Sequence, residues 1–559
     1  MNERIRSAVD QTLAGMRAGQ VEFAVEWPTD PAHGDVAVNA AMAAGKQLGK
    51  APREIAEALV PALEEALGED AARIEIAGPG FVNITLSRTY LAREMKSIPQ
   101  HEHWGWNESG KGISVMIEYS NPNPFKELHI GHLMSNVVGE ALSRLLEASG
   151  RHVLRDTFGG DVGPHVAKTL WALQRKGDTD IGSVSEVGKA YAHGAQAYEH
   201  SEEAKQEIDV LNTKLYDVVA KADAGELSSQ EDRTLYELWE KGREVSMSEF
   251  ERLFDLLGTS FDYTFFDSDT TAPGMRAVAD GLKNGVFEKS DGAIIYRGEK
   301  KGHHTLVFIT SRGTPTYETK DIGLAILKEE LNPTDEVIIV TAVEQIGHFK
   351  VMFAALEDVA PLLAAKTSHV SHGLLRLSSG KMSSRKGNAI TAAELIADTV
   401  KRSLERNPDP LIAKQVAIAA IKYMILRSAS SANVLFDPEQ SLSLDGDSGP
   451  YLQYAYVRAR SVLEKGAGTK AGDVPPEPYL LERLLVRFPE VVARAEQERA
   501  PQHVVQYLTQ LASEWNSFYA SERIISGEYE GYKLAIAEAF AHTMCEGLWL
   551  LGIAAPKEM

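Results

Sequence analysis

With 559 residues, 44% of them hydrophobic and 25% charged, the chain has the composition of an ordinary globular protein of several domains, and no apolar run approaches the ~20 residues that cross a bilayer. Its formal net charge of −21 argues mildly against nucleic acid as a partner, although such binding needs only a local basic surface. Cys545 is the only cysteine, which excludes an intrachain disulfide and argues against a thiolate zinc site, so a cytoplasmic enzyme is expected.

The N-terminus is polar, with Ile5, Val9, Leu13 and Met16 at helical spacing, so it reads as an amphipathic helix and not as a secretory signal. Helices are expected over roughly 1–18 and 51–67. A strand pair follows at 74–76 and 81–86, joined by the Ala77-Gly78-Pro79-Gly80 turn, with Val82, Ile84 and Leu86 alternating as one buried face requires. Residues 1–107 thus read as a small α+β domain. From 108 to 395 strands and helices alternate. The segment 114–120 is a strand, 134–150 a helix with Val137, Val138, Leu142, Leu145 and Leu146 on one face, and 336–343 another strand. Such alternation predicts an α/β catalytic domain built on a Rossmann-type doubly wound parallel sheet, interrupted by a charged helical insertion at about 175–255. From 396 to 559 the chain reads as an all-helical domain. Thr391-Ala392-Ala393-Glu394 is a capping-box pattern, and 466–478 is a flexible linker.

No Gly-Lys pair is followed by Ser or Thr, so there is no P-loop. Phosphate handling falls instead to NPNPFKELHIGH at 121–132, between the first strand and helix of the alternating region. His129 and His132, three residues apart, share a face on a first helical turn. Two imidazole donors and the free backbone N–H groups there suit a triphosphate, above all where charge develops on the α-phosphate. Gly131 removes a side chain and opens the backbone to an adenine ring. Two ordinary histidines are the bland alternative; the strand-to-helix position, with Lys126 just upstream, weighs against it. A second motif, GKMSSRKGN at 380–388, sets Lys381, Arg385 and Lys386 in a loop flanked by glycines, a cationic flap able to close on a polyphosphate leaving group.

HIGH followed far downstream by a KMSKS-like loop resembles the class I aminoacyl-tRNA synthetases, and the flanking residues resemble the arginyl branch, of bacterial type. IEYSNPNPFKELHIGHL (117–133), TYETKDIGLA (316–325), EQIGHF (344–349) and GKMSSRKGN (380–388) fall in that family's order. HGDVAVNAAMAAGKQLGKAPREIAEAL (33–59) and IAGPGFVNITL (76–86) are similar to its N-terminal domain. GPYLQYAYVRARSVL (449–463) and GLWLLGIAAPKEM (547–559) are similar to its helical anticodon-binding domain. The resemblance thus covers essentially the whole chain. Four positions depart from the family's pattern: Met134 stands where arginine is usual, Ser384 for the second loop lysine, Thr157 for asparagine and His165 for glutamine.

The resemblance implies ligation of L-arginine to tRNA(Arg) through an arginyl-adenylate, with ATP as substrate, Mg²⁺ on its phosphates, no zinc and no membrane partner. A monomer is expected. By resemblance Glu118 and Asp321 supply carboxylates and Tyr317 a hydroxyl to the guanidinium, while Asn123 and Gln345 hold the α-amino end. His129, Gly131 and His132 meet ATP together with Lys381, Met382 and Ser383. Lys126 stands in for the missing loop lysine, and Lys381, Arg385 and Lys386 clamp the pyrophosphate. Phe81 and Asn83 are matched to the reading of a tRNA loop nucleotide, and Tyr451, Gln453, Tyr454 and Arg458 to the anticodon domain. Another amino-acid specificity and a non-catalytic tRNA-binding protein are the alternatives.

Overall fold

The computed structural model describes residues 1–28, 30–177, 181–378 and 390–559. The loop residues Lys381, Met382, Ser383, Arg385 and Lys386 therefore lie outside the described residues. The chain parts into two compact units. One comprises Met1–Trp104, Ala455–Glu490 and Gln510–Glu546, the other Gly105–Tyr454, Val491–Thr509 and Gly547–Met559.

The second unit is organised by a five-stranded sheet in the order Thr367–His372, Glu336–Ala342, Ser114–Glu118, His152–Gly159, Tyr263–Phe266, with every neighbouring pair parallel. The central strands are continuous apolar runs, Val115-Met116-Ile117 and Val337 to Val340, all buried, as a sheet covered on both faces demands. In chain order the strands lie 5-4-1-2-3. The winding reverses between Ser114–Glu118 and Glu336–Ala342, and the crevice beyond the carboxyl ends of those two strands is where such sheets take ligands. The expected insertion is helical: Val184–His200, Glu202–Asp223 and Gln230–Leu257 pack Leu215, Val218, Leu235 and Trp239 into one core with Phe125, Val166 and Leu170 of the sheet region. A three-stranded antiparallel sheet, Glu288–Ser290, Ala293–Tyr296 and Leu306–Ile309, has no counterpart in the sequence reading; runs of three and four residues are too short to show a period. The capping box at Thr391 opens Ala392–Leu404 as the pattern predicts, with Glu394 N donating to Thr391 Oγ1 at 3.1 Å and Thr391 N to Glu394 Oε2 at 3.1 Å.

The first unit holds an antiparallel sheet in the order Val25–Glu26, Val36–Val38, Phe81–Leu86, Ala71–Ala77. Helices Asn2–Gly15 and Pro52–Leu67 lay Ile5, Val9, Leu13, Leu59 and Leu63 against Val82 and Ile84. The stretches 455–490 and 510–546 join the N-terminal residues in this unit. Glu482, without exposed surface, receives Arg88 at 2.9 Å and the Tyr532 hydroxyl at 2.5 Å, a paired buried charge that fixes the contact.

Candidate active site

Between Ser114–Glu118 and helix Ile130–Ala148 the chain crosses the switch point as a constrained loop. Ser120, Asn121 and Phe125 have φ of 73°, 49° and 68°, a left-handed conformation that costs non-glycine residues ~1–3 kcal/mol each unless their surroundings impose it. Here they do. Ser120 N donates to Ser135 Oγ (3.0 Å), Asn121 N to Thr157 Oγ1 (3.2 Å) and Phe125 N to Ser246 Oγ (3.0 Å), while Asn121 Oδ1 accepts from Phe158 N (3.0 Å). Thr157 is thus a brace for the loop. Gly159 and Gly160 allow the loop to lie close: a Cβ would come within 2.7 Å of Pro122 O at the first and 2.6 Å of Asn123 Oδ1 at the second.

His129 is the N-cap of the helix and His132 its third residue. The His129 Nδ1 accepts from Gly131 N at 3.0 Å, and the His132 Nδ1 accepts from His129 N at 3.2 Å. Their rings stack with centroids 3.8 Å apart. A ring nitrogen that accepts carries no proton, so in the neutral form each imidazole keeps its proton on Nε2 and presents it as a donor. Burial, then Lys126, lowers the pKa of His129; burial, then His129, Lys126 and His372, holds His132 well below the ordinary value. Two neutral N–H donors therefore stand at a helix N-terminus, where backbone N–H groups already favour an anion. A Cβ on Gly131 would lie 2.8 Å from His129 Cε1, so this glycine makes room for the folded-back ring. Lys126 lies over the Tyr191 ring at 4.8 Å, and burial followed by Lys168 lowers its pKa. The segment that follows the cationic loop is anchored here: Ile130 N donates to Ile390 O (3.4 Å) and Ala392 N to Leu128 O (2.7 Å).

Across the switch point the carboxylates gather. Glu118 is 3% exposed; its Oε1 accepts from Asn121 Nδ2 and its Oε2 from Lys328 Nζ, both at 2.7 Å. Lys328 also meets Asp156 Oδ2 at 2.7 Å, because parallel pairing sets Asp156 beside Glu118. Burial, offset in part by Lys328 and reinforced by Glu118, pushes the Asp156 carboxyl up to about 7. Tyr317, Asp321, Leu324 and Lys328 follow at helical spacing on Tyr317–Leu331. Asp321, Leu324, Lys328 and Glu118 line one cavity of about 30 Å³ with Phe349 and Met352. Asp321 Oδ2 meets His348 Nε2 at 2.6 Å, and Glu318 Oε1 meets His348 Nδ1 at 3.5 Å. Burial opposes charge on His348, but the bonds to Asp321 and Glu318 hold its pKa up to about 10. Burial raises the Asp321 carboxyl against the pull of His348. Lys328 and His348 are absent from the sequence assignment. His348 sits inside the EQIGHF string, yet nothing in that string points to Glu318 or Asp321.

The family model for the class I (R) tRNA synthetase catalytic domain matches residues 95–437, more than half of the chain. The chain belongs to the class I arginyl-tRNA synthetases. The models for the arginyl-tRNA synthetase N-terminal domain and the DALR anticodon-binding domain match residues 3–86 and 452–559. The arginine–tRNA ligase of Limosilactobacillus reuteri is 29% identical over 574 residues, covering 100% of this chain and 99% of that one. That of Bacteroides fragilis is 30% identical over 86% of each chain. Among solved structures, the Thermus thermophilus arginyl-tRNA synthetase superposes with a TM-score of 0.80 at 26% identity, over 99% of both chains. The Plasmodium falciparum enzyme, at 18% identity, TM-score 0.79 and coverage of 100% and 99%, shows the same fold. As in the rest of this arginyl-tRNA synthetase family, the reaction is the ATP-dependent attachment of arginine to tRNA. Among the described residues no helix is long and apolar enough to cross a membrane.

Asn123 Oδ1 accepts from Gly160 N at 2.9 Å, which leaves its Nδ2 donor for a ligand. Gln345 is exposed where Glu336–Ala342 gives way to Ile346–Val359. Tyr317 is exposed at the start of its helix. Met134 is a buried packing residue, 1% exposed. His165 is buried and its Nε2 bonds Gly160 O at 2.8 Å; burial, then Lys126, depresses its pKa to about 3. On Phe81–Leu86 the Phe81 ring is exposed while Val82 and Ile84 enter the core, and Asn83 shares the Phe81 face. Tyr454 is exposed and Tyr451 half-buried. Arg458 lies over the Tyr519 ring at 4.1 Å and donates to Asn516 Oδ1 at 2.9 Å. Gln453 has no exposed surface and its Nε2 donates to Ala554 O at 2.8 Å, so its side chain ties helix Gly449–Lys465 to the C-terminal segment and offers nothing to a nucleotide.

Proposed function

We propose that the site activates arginine by in-line displacement on MgATP. An oxygen of the arginine carboxylate attacks the α-phosphorus, the bond to the bridging oxygen breaks, and pyrophosphate leaves. The 2′-hydroxyl of the terminal tRNA adenosine then attacks the adenylate carbonyl and AMP departs. The reading rests on one observation above the others: the stacked His129–His132 pair, with both Nδ1 atoms engaged by backbone N–H groups and both Nε2–H groups left as donors at a helix N-terminus. Lys126 adds charge on the α-phosphate side; the family resemblance assigns Lys381, Arg385 and Lys386 to the pyrophosphate and Met382 and Ser383 to the nucleotide. Mg²⁺ enters on the ATP phosphates; among the described residues no trio of His, Cys, Asp or Glu is arranged to hold a metal of its own.

Glu118 and Asp321, with Tyr317, take the guanidinium, because a planar fork of five donors is matched by divergent carboxylates. Asn123 and Gln345 hold the α-amino-acid end. Residues 1–107 with Phe81 and Asn83, and residues 396–559 with Tyr451, Tyr454 and Arg458, bind tRNA(Arg) about the catalytic domain of 108–395. The enzyme works as a cytoplasmic monomer, and bound tRNA completes the site for activation. ATP–pyrophosphate exchange tests this. Exchange is expected with arginine only when tRNA is present, and at least ~10-fold less with lysine, whose point ammonium does not satisfy a planar acceptor set. Equal exchange with both amino acids would overturn the pocket assignment.

A further inference from the structure

His348, like Lys328, is a cation that the guanidinium assignment leaves unexplained. Its ring stands between two carboxylates of helix Tyr317–Leu331, Asp321 at 2.6 Å on Nε2 and Glu318 at 3.5 Å on Nδ1. A neutral imidazole would turn a lone pair toward one of them, so the geometry calls for the imidazolium. The ring is 19% exposed and fixed against the edge of Phe349, with centroids 5.1 Å apart at 86°. Glu118 comes from strand Ser114–Glu118 with its Oε2 already on Lys328, and His369, from strand Thr367–His372, stacks on Phe349 at 4.5 Å. Each carboxylate assigned to the guanidinium thus has one oxygen engaged by a resident cation before substrate arrives.

We propose that His348 is a specificity-determining positioning residue, which pins one oxygen of Asp321 and so leaves an acceptor set that a planar guanidinium bridges and a point ammonium does not. This inference rests on the assignment of Asp321 and Glu118 to the guanidinium. An ammonium concentrates its charge and does best where both oxygens of a carboxylate are free to turn toward it. A guanidinium spreads its donors over a plane and reaches single oxygens on separate carboxylates. With His348 gone, Asp321 turns freely and Glu318 loses its partner. The pocket becomes a less selective site for cations. Arginine loses a fixed acceptor while lysine gains one.

The test uses the full-length enzyme with its tRNA, comparing aminoacylation with arginine and with lysine for His348→Leu, His348→Gln and Asp321→Asn. For His348→Leu, arginine KM is expected to rise ~10-fold with ATP KM unmoved, and the arginine-to-lysine ratio of kcat/KM to fall by ~10-fold or more, the size of one lost charge-assisted hydrogen bond. His348→Gln keeps a donor for Asp321 without the charge and should recover part of both losses, its ratio still reduced by ~3-fold. A merely structural role would lower kcat for both amino acids alike and leave the ratio intact, which would overturn the inference. If the leucine variant does not fold, a wild-type ratio in the glutamine variant overturns it alone. Asp321→Asn separates the two levels. If it raises arginine KM while the His348 variants leave the ratio unmoved, this inference falls and the pocket assignment stands. If Asp321→Asn leaves arginine KM unchanged, both fall.

Discussion

At the arginine end of the site the carboxylates are met by resident cations, Glu118 by Lys328 and Asp321 by His348, whereas at the phosphate end His129, His132 and Lys126 have no carboxylate partner among the described residues. The difference follows the charge each end is proposed to receive. A guanidinium carries a single positive charge, and a pocket of several bare carboxylates would be costly to bury and indifferent to shape; partial neutralisation leaves directional acceptors. A triphosphate brings several negative charges, so donors kept free of anions retain their full attraction for it. Neutral imidazoles suit this second task, since they donate without drawing a carboxylate into the site.

The comparison breaks most visibly if the phosphate end is disturbed. Lys126→Ala should lower the rate of adenylate formation by ~100-fold or more, as loss of a transition-state donor does, with arginine KM little changed. Near-normal turnover would shift that work to Lys381 or Lys386. Gly131→Ala forces a methyl to within 2.8 Å of His129 Cε1, so the stacked pair has to open. A kcat loss of ~10-fold or more is expected, with ATP KM a secondary effect, and steady-state kinetics on the folded variant checks it.

A third prediction concerns histidine neutrality. His165 has a folded pKa of about 3 against an ordinary 6.5, so between those values the unfolded chain binds a proton that the folded chain refuses. Its contribution to stability is complete above pH 6.5 and is lost as pH falls through this window, at about 1.4 kcal/mol per pH unit. His165→Gln, which keeps a polar side chain without a titrating ring, removes that dependence; urea denaturation at pH 6.5 and 5 should show a shallower loss in the variant than in the wild type. The smallest effect is expected from Phe81→Ala, in the other compact unit. tRNA KM should rise ~5-fold, near the lower range for one stacked base, with arginine and ATP KM unmoved. A change in arginine KM would show that Phe81 acts on the site and not on tRNA.

The phosphate end was legible in the sequence because it is local: His129, Gly131, His132 and Lys126 lie within seven residues, although their helix begins at Ile130, four residues before the start expected at 134. The arginine end was legible only through family resemblance. Its carboxylates could be named, but the ion pairs that define it span 210 residues for Glu118–Lys328 and 27 for Asp321–His348, and no pattern along the chain marks them. Parallel pairing, which sets Asp156 beside Glu118, is likewise a property of the sheet and not of either segment. The strands Val25–Glu26 and Val36–Val38 are too short to announce themselves. The joining of 455–490 and 510–546 to the N-terminal residues in one unit depends on pairs such as Arg88–Glu482, which close over hundreds of residues.

The central claim is that the two ends act on different parameters, and one measurement addresses it directly: the single-turnover rate of arginine transfer to tRNA at saturating ATP, titrated with arginine, for Asp321→Asn and Lys126→Ala in parallel. The account predicts that Asp321→Asn raises the half-saturating arginine concentration by ~100-fold, the loss of a buried charge-assisted contact, with the plateau within ~3-fold of wild type. Lys126→Ala should lower the plateau by ~100-fold and leave the half-saturation point in place. If both variants depress the same parameter to the same degree, the two ends are not separable and the assignment of roles is wrong.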